Sequence, residues 1–387
     1  MINISKLYGG LASESDRLRY GSHKSRSPSE IRPVVVWNVT RRCNLQCLHC
    51  YSDSGNKRFW GELSLEEAKG VVEDLARFEV PAVLLSGGEP LMRKDLFKIV
   101  ACGRERGLRF TLSTNGTLIG PSMAAKIKEA GFSYVGISLD GIGRTNDLFR
   151  GQWGAFDLTL AAFRNLKRLG QKVGLRMTLT RHNIREIEKI FDVIESEGID
   201  RACFYHLVPS GRGRSIVTDI PTAGETREAI GKILAKTKSW MGREMPKEIL
   251  TVDNHVDGVF VYQTLLKEDP QRAAEVLQLL RQNGGALKSS GVGIGCIDFL
   301  GDVHPDQFWM GLKIGNVRER PFSEIWRDEG IEILHQLRRR RDFLEGKCKT
   351  CPWLDLCGGG LRVRAENLTG NRWAPDPACY IEWNQTV

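Results

Sequence analysis

The chain has 387 residues, 41% hydrophobic and 27% charged, the ordinary balance of a globular protein with room for one large domain and a smaller appendage. No apolar run reaches the length of a membrane span, and the opening MINISKLYGGLASESDRLRYG lacks the apolar core of a signal peptide, so a cytoplasmic location with no membrane partner is expected. The net charge of +9 suits a polyanionic substrate or nucleic acid. The densest basic run, Arg338 to Arg341, reads as the solvated end of a helix, EILHQLRRRRDFLEG, and no nucleic-acid partner is expected.

In chain order, residues 1–32 are polar, rich in Ser and Arg, and read as a loosely packed arm. After Pro33 a short β-branched or apolar run, a loop and an amphipathic helix repeat about six times. The runs are VVVWNV (34–39), AVLLS (82–86), RFTLS (109–113), YVGISL (134–139), VGLRMTL (173–179) and ACFYHLV (202–208). Between them, SLEEAKGVVEDLARF (64–78) carries Ser64 as N-cap with Glu67 completing a capping box, and REIEKIFDVIESEG (185–198) ends at Gly198. Strand alternating with helix means a parallel sheet, and six units fit an incomplete α/β barrel over 33–210, with its chemistry on loops after the strand ends. Residues 211–290 read as a helical linker or lid with little strand signal. Residues 291–387 form a Gly-, Trp- and Cys-rich region that is hard to fold without a metal.

Ten cysteines in so long a chain do not make a secreted disulfide scaffold. Seven of them fall into two groups, and clustering at loop-like spacing points to metal. TRRCNLQCLHCY follows the first strand and gives CxxxCxxC with Cys43, Cys47 and Cys50. Three thiolates are one fewer than a [4Fe–4S] cluster takes, leaving an iron open to a substrate; the alternative is a zinc site completed by a remote ligand such as His49. CKTCPWLDLCGGG with the later Cys379 supplies Cys348, Cys351, Cys357 and Cys379, a closed four-thiolate site for either a complete [4Fe–4S] cluster or zinc. Cys102 and Cys203 read as buried side chains.

CxxxCxxC after the first strand of a partial barrel resembles the signature of the radical SAM superfamily. The resemblance implies a partial (β/α)6 barrel in which S-adenosylmethionine (SAM) chelates the open iron and yields a 5′-deoxyadenosyl radical. It places His49 where the family puts an aromatic residue against adenine. In SGGEP (86–90) it assigns Gly87, Gly88 and Glu89 to the SAM amino group. STNGT (113–117) contributes Ser113 and Asn115, SLDG (138–141) contributes Ser138, and DLFRG (147–151) contributes Arg150, the last two facing the SAM carboxylate. Leu207 and Val208 would contact adenine. The second cysteine group resembles the SPASM-type extension of such enzymes, which favours iron–sulfur there. A full extension usually holds a second auxiliary cluster, but in GDVHPD (301–306) Asp306 stands in a cysteine's place. Two [4Fe–4S] clusters in all are therefore expected, with Asp306, His304 and Cys296 as candidates for a remaining ligand or a substrate contact.

Over nearly its whole length the chain further resembles the tetrapyrrole-modifying radical SAM enzymes. ISKLYGG…LRYG, RPVVVWNVTRRCNLQCLHCY, FYHLVPSGRG, IGCIDFLGDVHPDQFW, GNVRERPFSEIW and RVRAENLTGNRWAPDPACY carry the likeness. The opening motif and the cysteine of GIGCID favour the didecarboxysirohaem deacetylases over the haem d1 biosynthesis enzymes, which act on the same kind of substrate. The implied reaction removes two acetate side chains from an iron tetrapyrrole to give Fe-coproporphyrin III, with ferredoxin or flavodoxin as electron donor. Arg176, Arg212 and Arg372 are candidate clamps for substrate carboxylates, and His206 and Asp306 are candidate catalytic residues. An alternative substrate class is a peptide, as for SPASM peptide-modifying enzymes, although the N-terminal arm is too short for their usual recognition domain.

Overall fold

A computed structural model describes residues 1–14, 16–21 and 30–382 of the chain. Its strands are β1 (Ile2–Asn3), β2 (Val34–Thr40), β3 (Val83–Gly87), β4 (Phe110–Thr114), β5 (Tyr134–Ser138), β6 (Val173–Leu179), β7 (Arg201–His206), β8 (Glu248–Val252), β9 (Ile294–Ile297), β10 (Asp302–His304) and β11 (Gly315–Asn316). They form one sheet in the order β1-β8-β7-β6-β5-β4-β3-β2-β9-β10-β11. From β2 to β8 every pairing is parallel, as expected for a partial barrel with a helix in each crossover.

Alternation along the strands sorts their side chains between two jobs. Val35, Trp37 and Val39 of β2, Leu175 and Met177 of β6, and Phe204 of β7 are buried in the core with the crossover helices. Their neighbours Val36, Arg176, Thr178 and Tyr205 face the opposite way and line a cavity. Helix Leu65–Arg77 begins at the expected capping box, with the Ser64 hydroxyl accepting from Glu67 N and the Glu67 carboxylate accepting from Ser64 N.

Three expectations are corrected. The six predicted strands are present as β2–β7, but the segment 211–290 also contains a seventh parallel strand, β8, registered against β7. The rest of that segment is helical: Ala223–Gly242, and a hairpin of Val256–Glu268 and Pro270–Asn283 turning at Asp269. The start of the N-terminal arm is not loose. β1 pairs antiparallel with β8, and Ile2, Ile4 and Leu7 are buried in the main core; Ser5 Oγ donates to Lys247 O and accepts from Ile249 N. The stretch 22–29 of that arm lies outside the described residues. Finally, the Arg338–Arg341 run is not a uniformly solvated helix end. Arg340 is fully buried and donates to the carbonyls of Ser290, Leu337, Gly358 and Gly360; burial and the neighbouring Arg362 lower its pKa to about 9.

The C-terminal region continues the same sheet. β9 runs parallel to β2 on the edge opposite β3, and β10 and β11 add antiparallel strands. β2 therefore serves both regions, and the loop that leaves it carries the first cysteine group.

Because Leu7 is fully buried between the arm and the barrel, Leu7→Ala is expected to lower unfolding stability by about 2–5 kcal/mol. Urea denaturation reads this directly; an unchanged midpoint would contradict the integrated arm.

Candidate functional site

A cavity of about 160 Å³ lies at the carboxyl ends of the parallel strands, where loops after β2, β3, β4, β5 and β7 meet. Cys43, Cys47 and Cys50 line it together. Their loop is fixed by its backbone: Cys43 N donates to Gly55 O at 3.0 Å, Gln46 N to Arg150 O at 3.2 Å and Leu48 N to Phe149 O at 3.0 Å. Arg212 tightens it further, donating to Cys47 O at 2.8 Å and Ser54 O at 3.0 Å and pairing with Asp53. Arg212 is thus a brace under the cysteines, which explains its presence without a substrate carboxylate.

The sulfurs are surrounded by donors. Leu45 N and Ser54 N point at Cys43 and Cys50 from 3.4 Å, Asn115 Nδ2 at Cys43 from 3.9 Å, and Arg150 Nη1 at Cys47 from 3.6 Å. Burial, with a contribution from Glu89, pushes the Cys43 thiol up to about 12, and burial also raises Cys47. A bound cation would compensate the charge of the thiolates and favour their ionisation, as at a metal or cluster site.

The loop after β3 packs against this one at backbone distance. Gly88 N donates to Thr40 O at 2.7 Å and Glu89 N to Arg42 O at 2.8 Å. A Cβ on Gly87 or Gly88 would lie 2.3 Å from Thr40 O or 2.2 Å from Arg42 O, so the paired glycines serve contact between two protein loops. Glu89 does not line the cavity. Fully buried, its carboxylate accepts from Thr114 Oγ1 and Asn115 N at 2.8 Å and Leu91 N at 3.2 Å. Burial outweighs these donors and raises its pKa to about 7. The structure gives it a bracing position between the loops after β3 and β4.

His49, Gly87, Gly88, Ser113, Asn115, Ser138, Arg150 and Leu207 do line the cavity, with Val208 beside Leu207. The His49 ring stacks on Phe149 with centroids 4.7 Å apart, and burial lowers its pKa to about 4, so it is neutral. Arg150 forms a buried ion pair with Asp140. Burial disfavours its charge, but Asp140 and Cys47 outweigh that and raise its pKa. Asp140 Oδ1 also accepts from Thr178 N at 2.6 Å, which ties the end of β6 to the loop after β5.

The remaining wall holds Tyr51, Ser86, Arg176, Tyr205, His206, Asp253 and Phe308. Asp253 follows β8 directly, with a left-handed backbone at φ 66° and a pKa that burial raises to about 6. Sequence reasoning missed it because ILTV, the β-branched run before it, was read as part of a helical region. His206 lines the cavity and sits 2.8 Å from Asp257 Oδ2, whose other oxygen accepts from Tyr380 O–H at 2.8 Å. This buried chain leads from the cavity to the residue beside Cys379.

The other candidate, Asp306, is not among the residues that line the cavity, although Gln307 and Phe308 beside it are. Its carboxylate caps a turn, accepting from Phe308 N at 2.8 Å, Trp309 N at 3.2 Å and the Ser290 hydroxyl, so its backbone role accounts for it. His304 is buried against Leu312 O and Asp298. Cys296 is buried on β9, where Asn38 Nδ2 approaches its sulfur at 3.6 Å. Arg372 pairs with Glu366 at a separate surface depression of about 710 Å³.

Cys348, Cys351, Cys357 and Cys379 surround a second, small cavity of about 20 Å³. Gly358, Gly359 and Gly360 follow Cys357 with φ of 67°, 79° and 73°, three left-handed residues in a row that only glycine adopts without strain. Gly359 N thereby reaches Cys357 Sγ at 3.3 Å. Arg364 and Asp376 form a fully buried pair alongside, and Arg364 also donates to Asp253 O at 2.9 Å. Among the described residues no three His, Cys, Asp or Glu side chains converge closely enough to hold a single metal ion; the thiols of each group ring a cavity instead.

Comparison with known proteins adds three findings. Residues 37–194 match the radical SAM superfamily and residues 292–352 match an iron–sulfur cluster-binding SPASM domain. The chain is 52% identical to an Fe-coproporphyrin III synthase of Methanosarcina barkeri, covering 98% of both chains, and 44% identical to a pre-heme d1 synthase of Dinoroseobacter shibae, covering 92% of this chain and 88% of that one. The fold is similar to that of Streptococcus suis SuiB bound to S-adenosylmethionine, with a TM-score of 0.70 at 17% identity over 91% of this chain and 78% of that one.

Arg150→Met strands the buried Asp140 carboxylate and is expected to cost about 3–5 kcal/mol of stability. Adding Asp140→Asn should recover part of that loss in the same denaturant titration; full additivity would show that the two side chains are not coupled.

Proposed function

We propose a function from one premise: the chain belongs to the radical SAM superfamily and carries a SPASM iron–sulfur domain. It uses SAM and a [4Fe–4S] cluster, and it acts on an iron tetrapyrrole. Its reaction removes two acetate side chains from didecarboxysirohaem to give Fe-coproporphyrin III. The observation that carries this reading is the 52% identity, over 98% of both chains, to an Fe-coproporphyrin III synthase.

In this reading Cys43, Cys47 and Cys50 hold the cluster whose fourth iron is open. The donor-rich surroundings of the thiols and the buried Arg150 against Cys47 suit an anionic cluster. Held there, the cluster together with SAM would supply a 5′-deoxyadenosyl radical.

The chain's own residues then position the reactants. Ser138 and Arg150 face the carboxylate end of SAM, and His49 and Leu207 take the adenine end. Asn115 and the Gly87–Gly88 backbone complete the wall, held in place by Glu89. Leu207, Val208 and Phe308 add apolar surface to the cavity lining, which keeps water from competing at the reacting carbon. Cys348, Cys351, Cys357 and Cys379 hold a second, closed [4Fe–4S] cluster. An external donor such as ferredoxin or flavodoxin provides electrons. The proposed division is a barrel from 33 to 210 that β8 extends, the otherwise helical segment around that strand to 290, and a cluster-bearing region to 387, with one sheet running through all three.

A second reading, a pre-haem d1 synthase working on the same precursor, is favoured by the 44% identity to that enzyme. The product separates the two. Reconstituted, reduced protein incubated anaerobically with SAM and didecarboxysirohaem is expected to release Fe-coproporphyrin III, read by mass spectrometry as the loss of both acetates. A haem d1 precursor would establish the second reading, and SAM cleavage with unchanged tetrapyrrole would refute both. Iron analysis should give about eight irons per chain, falling by about half in Cys348→Ala/Cys351→Ala, and zinc in place of that half would contradict the second cluster.

A further inference from the structure

Of the cavity's charged groups, Arg176 stands apart. Arg150 is paired with Asp140, and the nearby brace Arg212 with Asp53. Among the described residues no carboxylate lies within ion-pair distance of Arg176, although it projects from the middle of β6 into the same cavity. One of its five N–H donors reaches the Ser113 hydroxyl, and its guanidinium lies over the Tyr205 ring, 4.8 Å from the centroid. The others have no partner among the described residues.

The side chain is also held in a built socket. Gly136, opposite Gly174 on the neighbouring strand, leaves the space that its stem fills: a Cβ there would lie 2.6 Å from Arg176 Cδ. A Cβ on Gly174 would lie 2.2 Å from Tyr134 Oη, so two adjacent strands give up side chains at this level of the barrel. A large cation with unused donors, placed in a polar cavity, lowers its free energy by accepting an anion. Its planar fork fits a carboxylate through two parallel hydrogen bonds. Ser113 and Ser138, which the SAM reading places beside the cofactor, line the same space.

Resting on the function proposed above, we infer that Arg176 is the positioning residue for the acetate arm that is removed, pairing with its carboxylate and holding its methylene toward the radical source. Ser113 and Tyr205 keep the guanidinium aimed.

The test is an anaerobic absorbance titration of the reconstituted enzyme with didecarboxysirohaem and with its analogue esterified at the two acetates. In Arg176→Met the free acid should bind roughly 30-fold or more weaker than in the native chain, while the ester binds both proteins alike. Equal binding of the acid to the two proteins, or equal weakening of acid and ester, would overturn the inference. Should Arg176→Met fail to fold, Arg176→Lys gives the same comparison, with charge retained and the fork lost. Intact binding with no turnover by the native chain would overturn the reaction and leave only the pairing of Arg176 with the acetate carboxylate standing, whereas no binding by the native chain would overturn both.

Discussion

The arrangement depends on β2 being hydrogen-bonded on both edges. On one side Val35–Asn38 register with Val83–Ser86 of β3, and on the other Val34–Trp37 register with Ile294–Ile297 of β9. A strand saturated on both sides cannot slide without turning its buried face to the cavity. The loop that leaves its end therefore starts from a fixed point, and Cys43, Cys47 and Cys50 inherit that fixity. The same pairing lays the C-terminal region along the barrel, so one hydrogen-bonded sheet runs through the regions that carry the two cysteine groups.

Buried charge does the rest of the positioning. Arg150 and Asp140 lock the loop after β5 against the cysteine loop. Arg364 and Asp376 lock the second cysteine group onto the ends of β7 and β8, through Leu207 O and Asp253 O. Arg340 takes carbonyls from both sides of the C-terminal region. Each is a buried cation whose loss would leave its partners unpaired, so the geometry of both sites is enforced at a cost that only a complete network offsets. Arg176 lies outside these networks, held by the Ser113 hydroxyl and the Tyr205 ring with no ion-pair partner among the described residues.

Much of this was legible in the sequence because local rules and tertiary structure agree. The β-branched and apolar runs from Val34 to Val208 gave β2–β7, and strand-end loops gave the cavity wall. Where reading failed, the controlling information was non-local. β8 is a short strand whose partner lies over 40 residues away, and its polar flanks resemble helix ends. Ile2, Ile4 and Leu7 look unremarkable until β8 supplies a strand to pair with. Arg340 reads as surface because nothing local shows that four carbonyls converge on it. The buried carboxylates of Glu89 and Asp306 accept from backbone N–H groups and from the Thr114 and Ser290 hydroxyls, contacts that spacing does not reveal. Asp253, outside every motif, was hidden with β8.

The central claim is that one sheet carries two iron clusters, the first open to the reaction cavity and the second enclosed. Anomalous diffraction from crystals of the reconstituted protein, recorded at the iron and zinc edges, tests it most directly. The account predicts two iron peaks, one among Cys43, Cys47 and Cys50 at the cavity and one enclosed by Cys348, Cys351, Cys357 and Cys379. A zinc peak at either position, or iron confined to the second, would contradict it.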